Sequence, residues 1–301
     1  MSAHQVEPIT LGELHGWRVK DGQAELLLLA QGAQVVSYTR EGDHPLIWLN
    51  DHAQFLTGKA VRAGVPVCWP WFGNLAKNPA AVQAMRVGDD APTSHGLVRT
   101  LDWTLQGITD TAEGTRIELT LPQAEQGLPG WNHPAALSLI IVMGERLQLS
   151  LITRNLGSEA LSLSQALHTY FAVSDVRQIS VDSVAGLDYM ETVGVADWQQ
   201  QTQSGPLEVT GETDRVYLDT PAELAIADRG WNRRIVLTPI GSHTAVIWNP
   251  WMDRAAHLED MADEGWQQMF CVETANVLDD IVTLAPGAEH TLGVAIHGEP
   301  L

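Results

Sequence analysis

Residues 137–153 read LSLIIVMGERLQLSLIT. Two apolar runs, 137–143 and 146–153, change character about every second residue, and Gly144-Glu145 separates them at hairpin spacing. A helix would group its apolar residues every three or four positions, so this stretch specifies two antiparallel strands. The same alternation recurs outward in both directions. Strands are expected over 24–30 (AELLLLA), 33–38, 115–121 (TRIELTL), 161–167, 234–237, 244–248, 269–273 and 289–297. Pro286-Gly287 suits a type II turn, because Gly accepts the positive φ of its third position. Asn155-Leu156-Gly157-Ser158 marks a further connection. Helical signal is sparse, and the best is a short polar stretch over 254–261. Strands joined by hairpin-sized loops, without alternating helices, predict an all-β fold of antiparallel sheets packed face to face. No Pro/Ser/Gly-rich linker, charge block or fixed-period repeat interrupts the pattern. A single domain over 1–301 is therefore expected, a large β-sandwich of fifteen or more strands.

Composition bounds the partners. The 301 residues carry 17 Lys+Arg against 37 Asp+Glu, a formal net charge of −20. Nucleic acid and anionic membrane surfaces both require clustered basic residues, so neither is an expected partner. The hydrophobic content of 45% is that of a folded globular protein. Eleven of the nineteen aromatic residues are Trp, a skew that suits ring-lined concave sites and equally suits core filling. Cys68 and Cys271 lie in apolar runs and are too few for a disulfide framework, so both are read as buried thiols in a reducing compartment. Residues 1–7, MSAHQVE, lack a basic segment followed by an apolar one. No apolar run approaches the roughly 20 residues that span a bilayer. A cytoplasmic monomer is expected.

Several chemistries have no motif here. There is no Gly-rich dinucleotide or phosphate loop, no His-Glu-x-x-His and no Gly-x-Ser-x-Gly. The eleven histidines include no i, i+4 pair, and Cys-x-x-Cys is missing, so no metal site is expected. Four segments carry candidate chemistry. In 61–73, VRAGVPVCWPWFG, three aromatics and two prolines make a rigid loop with Arg62 at its entrance. Trp71 or Phe72 suits the apolar face of a sugar, or the rings form a buried cluster with Arg62 reaching outward. In 94–99, SHGLVR, Gly96 permits a tight turn that could aim His95 and Arg99 into one cleft. Arg offers a planar fork of donors to a phosphate or carboxylate. His168 ends an alternating strand among apolar neighbours, which fits either a proton-transfer group or a core His bonded to a carbonyl. Glu273 is in register with Met269 and Cys271 on an apolar face. A carboxylate there is costly unless paired or used, and burial raises its pKa toward the range of a general base.

Taken together and in order, RAGVPVCWPWFG, HGLVRTLDW, ALHTYF, TDRVYLD (213–219), WNPW (248–251) and QQMFCVETAN (267–276) resemble the glucose-6-phosphate 1-epimerase branch of the aldose 1-epimerase, or mutarotase, superfamily. The resemblance covers roughly residues 20–297. It implies the galactose mutarotase-like supersandwich, with a sugar cleft on a concave face. It also implies cofactor-free anomer exchange in which His168 is the general acid and Glu273 the general base. His95 and Asp214 match positions that contact sugar hydroxyls, with Asp219 a rival acceptor to Asp214. Arg62 and Arg99 match basic residues that hold a phosphate, which points to a hexose 6-phosphate. Ser94 stands where some relatives carry Gln, so its shorter hydroxyl would reach a phosphate through water. Ala63 replaces a common Gly. A mutarotase of free aldoses and a non-catalytic carbohydrate-binding domain are the competing readings. A glycoside hydrolase would require two carboxylates about one bond, and Glu273 alone is nominated.

Overall fold

Alternation in the opening stretch becomes alternating burial. Strands Ala135–Met143 and Leu147–Asn155 bury every odd-numbered residue, and Met143 pairs with Leu147 across the loop. The computed structural model describes residues 4–301 except residue 196, so 1–3 of the amino-terminal stretch read above lie outside it. Among the described residues there are twenty-three strands and two short α-helices.

The opening hairpin lies inside a nine-stranded sheet. Leu147–Asn155 pairs on its other side with Glu289–Pro300, which continues to Arg233–Ile240 and Leu224–Asp228. A second sheet of eight strands includes Asp188–Glu191, Thr213–Tyr217, Thr244–Asn249, Met269–Asn276, Gln165–Leu167 and Val67–Cys68 in spatial order, with Tyr170–Ala172 also paired to Met269–Asn276. A four-stranded meander, Gln5–Leu11 to Val35–Arg40, completes the wall. Every strand pairing is antiparallel. One continuous core joins Leu149, Leu151, Leu237 and Val294 of the nine-stranded sheet to Phe270, Val272 and Ile247 of the other. Each such side chain removed from water contributes on the order of 1.5–3 kcal/mol before entropy is subtracted. No helix among the described residues is long and apolar enough to cross a membrane.

Two local expectations need correction. The run 161–167 is two strands: Leu161–Leu163 pairs with Val282–Leu284, whereas Gln165–Leu167 joins the eight-stranded sheet. The chain changes partners at Ser164, whose hydroxyl accepts the Phe72 N–H at 2.9 Å and donates to Asn78 Oδ1. The helix expected over 254–261 is Trp251–Ala255. It begins earlier because Asn249 Oδ1 accepts the Trp251 N–H at 2.9 Å, and turns follow it. The 286–287 turn has the expected form, with φ of 77° at Gly287 and the Ala288 N–H bonded to Ala285 O at 2.9 Å.

The loop carrying His95 is held against the sheet by backbone contact. Gly96 has φ of 77°, and a Cβ there would lie 2.1 Å from Trp69 O. The loop cannot accept that atom without leaving its seat. Gly96→Ala is expected to lose at least about 2 kcal/mol of unfolding free energy in urea. Gly287→Ala has the same φ but open space around it, and is expected to lose only about 1 kcal/mol. Equal losses would mean that close packing at Gly96 does not seat the loop.

Candidate active site

Register builds the site. Successive strand residues face opposite sides, so residues directly paired across neighbouring strands share a face. One row runs Asp214, Trp248, Cys271, Tyr170. The row beside it runs Val216, Val246, Glu273. His168 follows Gln165–Leu167 directly and is held by its N–H to Pro66 O at 3.0 Å. All of these residues except Cys271, which is fully buried, line one cavity of about 570 Å³ beside the eight-stranded sheet. That volume lies within the roughly 300–1,000 Å³ of small-ligand sites.

At the floor, His168 Nε2 is 3.4 Å from Glu273 Oε1. Glu273 is 2% exposed and His168 8% exposed. Tyr170 stacks on the imidazole at 4.8 Å with planes 6° apart, which fixes its orientation. Glu273 Oε2 and His168 Nδ1 are buried without a hydrogen-bond partner among the described residues. Burial pushes Glu273 well above the usual carboxylate range, with Asp214 adding to the shift. Burial likewise pushes His168 well down, helped by His95, Arg99 and Arg62. Both shifts favour uncharged forms, so the resting pair holds a single proton, on the carboxyl.

The cavity wall carries the other polar groups. His95 Nδ1 accepts the Gly73 N–H at 3.3 Å and lies 3.5 Å from Cys68 Sγ, which assigns its own proton to Nε2. Burial, then Arg99 and Arg62, hold its pKa down to about 3, so the ring is neutral. Arg62 Nε donates to Asp260 Oδ1 at 2.8 Å and lies over the Trp248 ring at 5.9 Å. Asn50 Nδ2 donates to the backbone oxygens of both Arg62 and Asp260 and so ties the two loops together. Arg99 Nη2 donates to Ser94 O at 2.6 Å. Asp214 has its pKa raised to about 6 by burial, against the opposing hydrogen bond from Thr192.

Of the residues singled out in sequence, His168, Glu273, Arg62, Ser94, His95, Arg99 and Asp214 all line this cavity. Asp219 does not; it is exposed, with φ of 50°, in the turn after Thr213–Tyr217. Trp71 requires correction as a substrate contact. It is 1% exposed in the core, its Nε1–H is bonded to Thr93 O at 2.9 Å, and Phe72 faces the cavity in its place. Reading the sequence passed over Tyr170, Lys77, Arg254 and Asp260. The strand alternation around 168–171 was the available signal for Tyr170. Nothing local marks the others, which come from distant loops.

A buried carboxyl and imidazole in contact on the wall of a polar cavity suit proton exchange with a small bound molecule. Residues 17–297 match the family Aldose 1-epimerase, and the chain belongs to that family. It is thus an isomerase-type enzyme of carbohydrate metabolism, an epimerase of hexoses. An Escherichia coli (strain K12) protein named "Putative glucose-6-phosphate 1-epimerase" is 32% identical over 275 residues, covering 90% of this chain and 87% of that one. Among solved structures, a "putative mutarotase (YeaD)" from Salmonella typhimurium superposes with a TM-score of 0.86 at 26% identity, over 98% of this chain and 94% of that one. A galactose mutarotase-like protein from Clostridium acetobutylicum shares the fold at a TM-score of 0.73 and 15% identity, over 99% of each chain.

The titration of His95 has a measurable consequence. Its ordinary value of 6.5 falls to about 3 on folding. A lowered pKa gives stability that is present above 6.5 and lost as pH falls toward 3. Asp214, whose pKa is raised to about 6, contributes the opposite slope below 6 in wild type and variant alike. Relative to wild type, His95→Gln is expected to remove up to about 1.4 kcal/mol per pH unit from the slope of unfolding free energy against pH between 6.5 and 4.5. An unchanged slope in urea titrations would place that linkage elsewhere.

Proposed function

We propose that this enzyme interconverts the α and β anomers of a hexose 6-phosphate, with glucose 6-phosphate the preferred substrate. The observation that carries the reading is the His168–Glu273 pair, 3.4 Å apart, on the floor of a cavity whose wall bears Arg62 and Arg99. The Escherichia coli relative's name points to the same substrate. Glu273 as carboxylate takes the proton of the anomeric hydroxyl while His168 as imidazolium gives one to the ring oxygen. The C1–O5 bond breaks, C1 becomes an aldehyde, and the pair is left as carboxylic acid and neutral imidazole. Rotation about C1–C2 presents the other carbonyl face. Reclosure then returns both protons to where they began, so no net proton is consumed.

The active tautomer is the ion pair, which differs from the resting neutral pair only in where its proton sits. Burial and the nearby arginines oppose the imidazolium. A phosphate dianion between Arg62 and Arg99 would offset that opposition, so substrate phosphate aids the acid as well as binding. His95 Nε2–H and the Asp214 carboxyl supply a donor and an acceptor for sugar hydroxyls. Ser94 contributes its backbone oxygen to orient Arg99.

Exchange measured by NMR or polarimetry tests each role. His168→Ala and Glu273→Gln are each expected to lower kcat at least about 10²-fold with unchanged circular dichroism. Near-normal turnover in either would remove that residue from the proton-transfer pair. Arg99→Ala is expected to raise KM for glucose 6-phosphate about tenfold or more, the cost of a charged hydrogen bond, with little change for glucose. Faster wild-type exchange with glucose or galactose than with glucose 6-phosphate would overturn the phosphate assignment while leaving the epimerase intact.

A further inference from the structure

Cys271 has no part in the chemistry above, yet it stands two residues before Glu273 on the same strand face. One donor atom each from His168, Cys271 and Glu273 lie within 4.8 Å of one another. All three residues are buried. Imidazole nitrogen, thiolate sulfur and carboxylate oxygen form the donor set of zinc and of cobalt(II) in its place, not of magnesium or calcium. Around a tetrahedral zinc, with bonds of about 2.0–2.3 Å, neighbouring donors stand roughly 3.3–3.8 Å apart. His168 and Glu273 already meet that spacing. The widest pair must close by about 1 Å, within reach of side-chain rotation about Cys Cα–Cβ and the Glu carboxyl.

A second observation points to an electron-pair acceptor at this place. Glu273 Oε2 is buried with no hydrogen-bond partner among the described residues, although acceptors so placed are ordinarily satisfied. An ion also has a way in, because His168 and Glu273 line the cavity. The fourth coordination position would open toward the same space.

We infer that this triad is an inhibitory site for zinc-like divalent cations, which lock both proton-transfer groups and occupy the seat of the sugar's reacting end. Binding releases two protons to solvent, one from the Cys271 thiol and one from the Glu273 carboxyl, and leaves all three side chains as ligands, so neither acid nor base remains. Sugar and metal then exclude one another. The site serves as a metal-sensitive brake on the enzyme, not as a structural centre, because the surrounding core is closed without it. The inference concerns the pair and its neighbouring thiol, and holds whichever hexose is turned over.

The test uses the full chain stripped with a chelator. Buffered Zn²⁺ is expected to inhibit anomer exchange competitively with sugar and reversibly with chelator. Cys271→Ser is expected to retain exchange but to need on the order of tenfold more Zn²⁺ for the same inhibition. Bound Co²⁺ is expected to give a sulfur-to-metal charge-transfer band in the near ultraviolet. That band should persist in Cys68→Ser, vanish in Cys271→Ser and be displaced by the sugar. Equal inhibition of wild type and Cys271→Ser, no inhibition at all, or a band that follows Cys68 would overturn the proposal. If Cys271→Ser does not fold, the wild-type and Cys68→Ser cobalt spectra decide. Those spectra need no turnover, so a protein that exchanged no sugar would still answer the metal question.

Discussion

Everything at the cavity floor follows from burying two ionisable side chains against each other. An isolated carboxylate taken out of water costs several kcal/mol, and the chain meets that cost by neutralising the group. Glu273 is pushed toward the acid form and His168 toward the neutral base. The result is a carboxyl–imidazole contact at 3.4 Å in which burial favours the uncharged form of both groups. On the proposed reading this contact must balance taking and giving a proton, since a strong acid or a strong base would release its proton in only one direction.

Maintaining that balance requires rigidity, and the sheet provides it. Glu273 stands mid-strand in Met269–Asn276, where all eight residues are buried and neighbours on both sides are hydrogen-bonded. A slip of one residue would turn Glu273 into the opposite face and replace it with a neighbour. Tyr170 and the Pro66 carbonyl restrain His168 from two directions. The polar groups of the cavity wall are placed differently. Arg62, His95 and Arg99 come from loops, each tied by a short polar contact to another loop or carbonyl. On the proposed reading, proton transfer is thus mounted on the sheet and recognition on the connections between strands.

Legibility in the sequence divides along the same line. Strand alternation identified the sandwich and the strands carrying the pair, because burial on one face writes itself into every second residue. It misjudged 161–167, where an apolar run crosses between two sheets and the crossing depends on Ser164 meeting Phe72 and Asn78 from another loop. Glu273 was conspicuous because a charge on an apolar strand face has few structural explanations. Trp71 misled for the converse reason: a ring beside a ring-lined loop looks the same whether it faces the cleft or the core, and only packing decides. Asp260, Lys77 and Arg254 had no local signature at all. The contact of Cys271 with His168 and Glu273 was half visible as a Cys-x-Glu spacing, but the third member comes from a separate strand about a hundred residues away in sequence.

The net charge of −20 acquires a local meaning from this geometry. The cavity is lined by four basic residues, Arg62, Lys77, Arg99 and Arg254, from a total of seventeen in the chain. Four acidic residues, Glu212, Asp214, Asp260 and Glu273, line the same space. Counted formally the site is neutral inside a strongly acidic protein, and neutralising Glu273 by protonation leaves it positive. The protein's own field repels anions over distances of about a Debye length, roughly 8 Å at physiological salt. If the substrate is the phosphorylated sugar proposed above, selectivity for it must arise at contact range, from oriented guanidinium groups rather than long-range attraction. The Arg62–Asp260 pair and the Arg99–Ser94 bond meet that requirement, since each orients its guanidinium group before any ligand arrives. On that reading an acidic exterior with ordered cations inside discriminates by geometry, and a phosphate neutralising those cations would ease protonation of His168, which Arg99 and Arg62 oppose.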